Sequence, residues 1–307
     1  DGNERREFFW RRELPPRWLA VTMNLPSISF LALVLAYPIF YAGYLSFHKV
    51  GLGQMRSGIF PFVGLDNFLR LAEDPLFHLA MKNTLVFTAV VVPAELVISV
   101  AVALMINQQD VWISRLSRLL VLVPYAIPPI ASGLIWSFVY NVKFGYLNRT
   151  LYQLGLIDTY VDWVGGPNTA LYMVAVAYIW RTVPFSILLV HAALQGIPQE
   201  LFEASHVDGA TRWKTLLHVT LPLLRPIIVV TLILRTTFSI MVFDEILAIT
   251  QGGPGDATWI AAWYTYKTTF EPPFNIGLGA ASAFVLAMLI TVFAIFYVKF
   301  LYRRVTL

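Results

Sequence analysis

Cysteine is missing from all 307 residues, and with it go disulfides, thiolate nucleophiles and Cys-ligated metal sites. Charge is scarce too: Asp, Glu, Lys and Arg make up 13% of the chain against 58% hydrophobic residues, a balance outside that of soluble globular domains. A mean hydropathy of +0.67 places the chain among integral membrane proteins. The five His residues lack metal-ligand spacing, so no metal is expected. Without a Gly-x-x-x-x-Gly-Lys-[Ser/Thr] run there is no phosphate cradle, and the chain is not expected to hydrolyse nucleotide by itself. Nor is there a Gly-x-Ser-x-Gly or a His-Glu-x-x-His run, which leaves a membrane hydrolase without support. Repeats, low-complexity tracts and soluble segments do not stand out either, so residues 1–307 are expected to be a single membrane domain.

What the chain has instead is long apolar runs. A helix needs roughly 20 mostly apolar residues to cross a bilayer. Six segments meet that test, at about 25 to 47, 84 to 106, 119 to 140, 170 to 194, 222 to 249 and 277 to 301. The first lies too far in, and runs too long, for a cleaved signal peptide, and is expected as a retained helix after a trimmed or renumbered start at Asp1. Six crossings put both termini on one side, and Lys and Arg decide which. One set of connections holds Arg5, Arg6, Arg11, Arg12, Arg17, Arg115, Arg118, Arg212, Lys214, Arg225, Lys299, Arg303 and Arg304; the other holds Lys49, Arg56, Arg70, Lys82, Lys143, Arg149 and Lys267. Thirteen against seven assigns the N-tail, about 1–24, the C-terminus and the loop at about 195–221 to the cytoplasm. The formal charge of +4 is thereby explained by topology and anionic lipid headgroups, with no basic groove for nucleic acid. Trp18, Trp112, Trp163 and Trp259 fall near span ends, where an interfacial belt places them. The outer loops are turn-rich, at Gly51, Gly53, Gly58 and Pro61, at Gly165-Gly166-Pro167-Asn168 and at Gly252-Gly253-Pro254-Gly255; they suit either surfaces shaped for another protein or plain helix connections.

The loop at 195–221 is amphipathic. Pro198 starts a helix with Leu201, Phe202, Ser205 and Val207 on one face, Gly209 permits a positive-φ bend, and Trp213, Leu216, Leu217 and Val219 form the face of a second short helix. Such a hairpin cannot bury both faces against itself and seeks a groove in a partner or the lipid surface. Glu203 and Asp208 are placed to cap helix ends or meet basic groups.

The order Glu203-Ala204, Asp208-Gly209-Ala210, Arg212-Trp213-Lys214, Leu221-Pro222 and Arg225-Pro226 resembles the EAA loop of permease subunits of ATP-binding-cassette (ABC) importers. Phe62-Val63-Gly64-Leu65-Asp66-Asn67-Phe68, Lys82-Asn83-Thr84-Leu85, Leu122-Val123-Pro124-Tyr125-Ala126-Ile127-Pro128, and Phe243-Asp244-Glu245-Ile246 through Thr250-Gln251-Gly252-Gly253-Pro254 extend it to the carbohydrate-uptake, maltose-type branch. That resemblance implies an all-α, six-transmembrane-helix bundle of the type I ABC importer permease kind with a cytoplasmic coupling-helix loop. It implies a bacterial or archaeal cytoplasmic (inner) membrane, a second homologous permease subunit, an ATPase dimer that binds ATP and Mg, and an extracytoplasmic solute-binding protein. It also implies that Glu203, Ala204, Asp208, Gly209, Ala210, Trp213, Leu216, Leu221 and Pro222 couple to the ATPase.

Inside the spans stand Glu95, Arg181, Arg235, Asp244 and Glu245. Each costs roughly 2.5 to 3.5 kcal/mol at a helix centre, so each is expected to face protein or water. Glu95 follows Pro93, which frees a backbone carbonyl and is suited to kinking the second span. Arg181 is read as facing a ligand or paired with Asp244 or Glu245. By resemblance, the sugar contacts of maltose-type permeases fall on Tyr125, Pro129, Tyr178, Arg181, Thr182, Phe185, Arg235, Ser239 and Val242, with Asp244 beside them. Tyr and Phe stack on sugar rings, and Thr, Ser, Tyr and Arg bond hydroxyls; simple helix packing explains Tyr125 and Tyr178 equally. Two inward Arg depart from a neutral sugar site, which keeps an anionic glycerol-phosphate compound or a polyol beside the neutral disaccharide as cargo. A proton- or Na⁺-driven secondary carrier using Glu95, Asp244 and Glu245 is the other class of reading, opposed by the docking hairpin and the missing inverted repeat.

Overall fold

The computed structural model describes residues 17–107 and 111–301. Arg5, Arg6, Arg11, Arg12, Arg303 and Arg304 lie outside the described residues, as do the side chains of Arg17, Trp18, Trp112 and Arg115. The described residues form helices and connections, with one isolated antiparallel bridge between His48 and Phe62. Five helices are long and apolar enough to cross a membrane, and a bent pair supplies a sixth crossing if it counts as one span.

The first span runs through α1 (Arg17–Leu31) and α2 (Tyr37–Ser46), joined by a π turn over Ala32–Ala36. Helix begins inside the expected N-tail because the apolar run carries it outward from Arg17. The π turn stands just before Pro38: the Tyr37 N–H reaches back five residues to the Ala32 carbonyl, and the extra residue makes room for the proline ring. Two short helices follow, α3 (Leu52–Ser57) and α4 (Asp66–Glu73). The second span is α5 (Pro75–Asn107), which continues helically through Pro93 and begins nine residues before the apolar run expected from Thr84.

The third span departs most from the sequence expectation. One straight helix over 119 to 140 is replaced by α6 (Val111–Leu122), a 3-10 turn at Pro124–Ala126 and α7 (Pro129–Val139), with a bend of 92°. The cause is local: a residue before proline is excluded from the helical region, and Ile127 (ψ 127°) and Pro128 (ψ 142°) are accordingly extended. Irregular backbone at membrane depth is tolerated where it lines a cavity, and Tyr125 and Pro129 do so.

After α8 (Tyr146–Gln153), the fourth span is α9 (Ala170–Gln195). The hairpin then holds α10 (Gln199–Val207) and α11 (Arg212–Thr215). The expected second short helix is not separate: α11 passes through a π turn at Leu216–Thr220 into α12 (Leu221–Ile240), so Arg212–Ile240 is one helix that projects past the fifth crossing. As before Pro38, the π turn precedes a proline, and the Leu221 N–H reaches Leu216 ahead of Pro222.

The fifth span also ends early, at Ile240 instead of 249. Phe243 is out of helical geometry, and α13 (Asp244–Ile249) starts anew with Asp244 and Glu245 in its first turn, where carboxylates suit the helix dipole. These two acids are therefore in a short helix laid on α7 and not on the fifth span. Gly133 permits that contact: a Cβ there would lie 2.5 Å from the Cβ of Ala248. The chain closes with α14 (Ala261–Phe270) and α15 (Ile276–Phe296), the latter continued to Leu301 by a π turn. Around Phe87, Val91, Tyr178, Ile246, Ile260 and Trp263 a buried cluster packs the second and fourth spans against the segment after the fifth.

Candidate functional site: a charge-paired cavity and an exposed hairpin

The bend in the third span, the middle of α9, the end of α12 and the start of α13 converge on a cavity of about 320 Å³. Tyr125, Pro129, Tyr178, Arg181, Thr182, Arg235, Val242 and Asp244 line it. Phe185 and Ser239 do not. Phe185 stacks on Tyr125, ring centroids 5.5 Å apart, and lies under the Arg235 guanidinium at 5.0 Å. Ser239 is fully buried, with its hydroxyl 3.1 Å from Thr88 Oγ1 and 3.0 Å from the Thr236 carbonyl, which ties the fifth span to the second.

Both arginines are paired. Arg181 donates Nε and Nη2 to one oxygen of Glu245, at 2.8 and 2.7 Å. Arg235 faces Glu95 at 3.8 Å, donates Nη1 to the Thr182 carbonyl at 3.3 Å, and is flanked by Phe185 and Phe238. The carboxylate beside Arg235 is Glu95, which also accepts from the Thr182 hydroxyl. Glu95, Thr182 and Arg235 thus join the second, fourth and fifth spans in one buried polar contact. Removing one member of such a pair leaves an uncompensated buried charge, worth about 3–5 kcal/mol. Asp244 makes no ion pair among the described residues. Tyr178 is packed edge-on against Phe87, and its buried hydroxyl has no hydrogen-bond partner among the described residues.

Phe238, Met241, Phe243 and Glu245 complete the wall without having been named as contacts. Phe238 was within reach of helical spacing, three residues after Arg235 on one face. Met241 and Phe243 belong to the break after Ile240, which hydropathy reads as more span.

At the other end of the bundle, α10 closes on a two-bond left-handed turn. Gly209 has φ 71°, its N–H donates to the His206 carbonyl, and the Ala210 N–H donates to Ser205, each at 3.0 Å. Ser205 and Thr215 hydroxyls meet at 2.5 Å across the turn, and the Thr211 hydroxyl caps Lys214. This fixes the hairpin while leaving its tip outward: Glu203, Ala204, Asp208 and Gly209 are exposed, as are Val207 at 87% and Trp213 at 66%. Ala210, Leu216 and Leu221 are half-buried and Pro222 is exposed on the helix. A second cavity, about 570 Å³, lies under the hairpin between Phe202, His206 and Trp213 and the span ends at Leu104, Asn107 and Leu194.

The family model of the binding-protein-dependent transport system inner membrane component matches residues 95–307. The chain belongs to that family. It is 35% identical to the sulfoquinovosyl glycerol transport system permease protein SmoG of Agrobacterium fabrum, spanning 92% of this chain and 91% of that protein. It is 34% identical to the trehalose/maltose transport system permease protein MalF of Thermococcus litoralis, spanning 92% of each. Its fold also matches a solved bacterial ABC transporter involved in the import of the acidic polysaccharide alginate, with a TM-score of 0.78, 24% identity and coverage of 94% of this chain and 96% of that one. The permease is thus an inner membrane component that crosses the bilayer several times, and both the cavity and the hairpin lie within the matched residues.

Proposed function

We propose that this permease imports a sugar, with a neutral disaccharide or oligosaccharide as its cargo. The carrying observation is the cavity at the third-span bend, where Tyr125 and Tyr178 offer aromatic surface and Thr182, Asp244 and the two paired arginines offer hydrogen bonds. The permeases named for sulfoquinovosyl glycerol and for trehalose and maltose support a carbohydrate class of cargo. A second permease subunit completes the path, an extracytoplasmic binding protein delivers the sugar, and both termini lie in the cytoplasm. The chain works as one membrane domain and hydrolyses no ATP itself; a partner ATPase dimer binds ATP and Mg. The hairpin around Gly209 is the part that meets that dimer, because its tip is held rigidly yet carries uncovered apolar residues.

Uptake by the reconstituted complex tests this directly. Proteoliposomes holding the two permeases and the ATPase, supplied with the binding protein, are expected to accumulate at least one of maltose, trehalose or lactose when ATP is present. ATP-independent uptake driven by a proton or Na⁺ gradient would overturn the assignment.

A further inference from the structure

We infer that Glu245 is a specificity-determining residue: by occupying the donor edge of Arg181 it closes the cavity to anionic sugars and leaves it open to neutral ones. Two inward arginines would by themselves make an anion site, since a guanidinium fork matches a carboxylate or phosphate bidentately. Each of the two forks has a carboxylate of its own nearby. Arg181 gives both Nε and Nη2 to Glu245 Oε1, within 2.8 Å. Arg235, on the cavity wall, has Glu95 3.8 Å from its Nε, gives Nη1 to the Thr182 carbonyl and is flanked by the Phe185 and Phe238 rings. Asp244, next to Glu245 on the cavity wall, adds a carboxylate with no cation of its own among the described residues. An incoming anion therefore meets two compensated cations and one spare negative charge, and has to displace Glu245 to reach Arg181. A neutral sugar meets acceptors and remaining N–H donors without displacing anything.

The placement of Glu245 is built into the fold. It stands in the first turn of α13, which the missing side chain of Gly133 lets sit on α7, and Glu245 Cα would be 3.5 Å from a Cβ there. Glu245 itself is almost fully buried, so its pairing is a fixed feature of the wall and not a surface contact.

The inference rests on the reading of this cavity as the sugar site, and the experiment separates the two. Binding of maltose and lactose, and of their carboxylated counterparts maltobionate and lactobionate, is measured on the detergent-solubilised complex of both permeases and the ATPase. Saturation-transfer NMR is the readout, with the binding protein left out. The native complex is expected to favour the neutral member of a pair by at least about tenfold. Glu245→Gln, which frees a charge-assisted donor pair, is expected to tighten the anionic member by about 10- to 100-fold, or about 1.4–2.8 kcal/mol. Arg181→Gln added to Glu245→Gln is expected to abolish that gain. An unchanged preference in an assembled Glu245→Gln complex overturns the inference while sparing the sugar site. A native complex that binds maltobionate or lactobionate as tightly as its neutral partner overturns it without any variant. Absence of binding by all four compounds overturns the cavity reading and this inference together.

Discussion

At the residue scale, the cavity and the spans around it hold ionisable groups that the bilayer would not tolerate singly. Glu95 and Arg235 are nearly or fully buried and their closest approach is 3.8 Å, so each depends on the other and on Thr182. Glu95→Ala is expected to destabilise the permease by about 3–5 kcal/mol, seen as a lowered midpoint in a thermal aggregation assay. Glu95→Gln combined with Arg235→Gln is expected to recover a large part of that loss, because no lone charge remains. Damage from the double change equal to the sum of the separate Glu95→Gln and Arg235→Gln changes would show that the pair has no mutual energy. Tyr178 allows a sharper separation of packing from recognition. Its hydroxyl is buried and unbonded among the described residues, which costs a structure about 1–3 kcal/mol if nothing ever satisfies it. Tyr178→Phe is therefore expected to leave stability equal or higher while raising the KM for sugar uptake about 5- to 30-fold. A stable variant with unaltered KM would reduce Tyr178 to a packing residue.

At the element scale, prolines decide where helices bend and glycines where they meet. Pro124, Pro128 and Pro129 turn the third span by 92°, and two π turns place one extra residue ahead of Pro38 and Pro222. Gly209 is the position where backbone geometry matters most to the hairpin, since φ 71° costs a β-branched residue roughly 1–2 kcal/mol or more. Gly209→Val is expected to leave maltose or lactose binding in the cavity unchanged and to lower sugar-stimulated ATPase activity of the complex at least tenfold. Normal coupling in that variant would remove the hairpin from its assigned role. Much of this layer was legible from residue patterns. The second, fourth and sixth spans follow continuous apolar runs, and the bend at Gly209 follows from a Gly just after an amphipathic helix. The failures share one cause: hydropathy measures how oily a segment is and not whether its backbone is continuous. The third span therefore read as straight, and α13 read as the tail of the fifth. For the same reason the sequence could name Arg181 and Glu245 as possible partners but could not pair Arg235 with Glu95, since that choice depends on how the second and fifth spans face each other across the fourth.

At the scale of the whole molecule, the two sites stand at different depths of one bundle and share elements. α9 carries Arg181 and Thr182 in the cavity wall and ends at Gln195, where the hairpin begins, while the helix from Arg212 to Ile240 runs from the hairpin to Arg235. Continuous helix, with the π turn at Leu216–Thr220 within it, therefore joins the hairpin to the cavity wall. A full change of state, from 1:99 to 99:1, asks for about 5.5 kcal/mol of differential binding, within reach of nucleotide and docked partners. The absence of cysteine makes the proposed contact between hairpin and ATPase open to a clean test. A single Val207→Cys, at a side chain 87% exposed on the hairpin tip, is probed by crosslinking in the assembled complex with and without ATP. The account predicts a specific crosslink to the ATPase subunit whose yield changes with nucleotide, and none from Lys143→Cys on the opposite side of the membrane. A Val207→Cys product no stronger than the Lys143→Cys control, in a complex that still imports sugar, would contradict it.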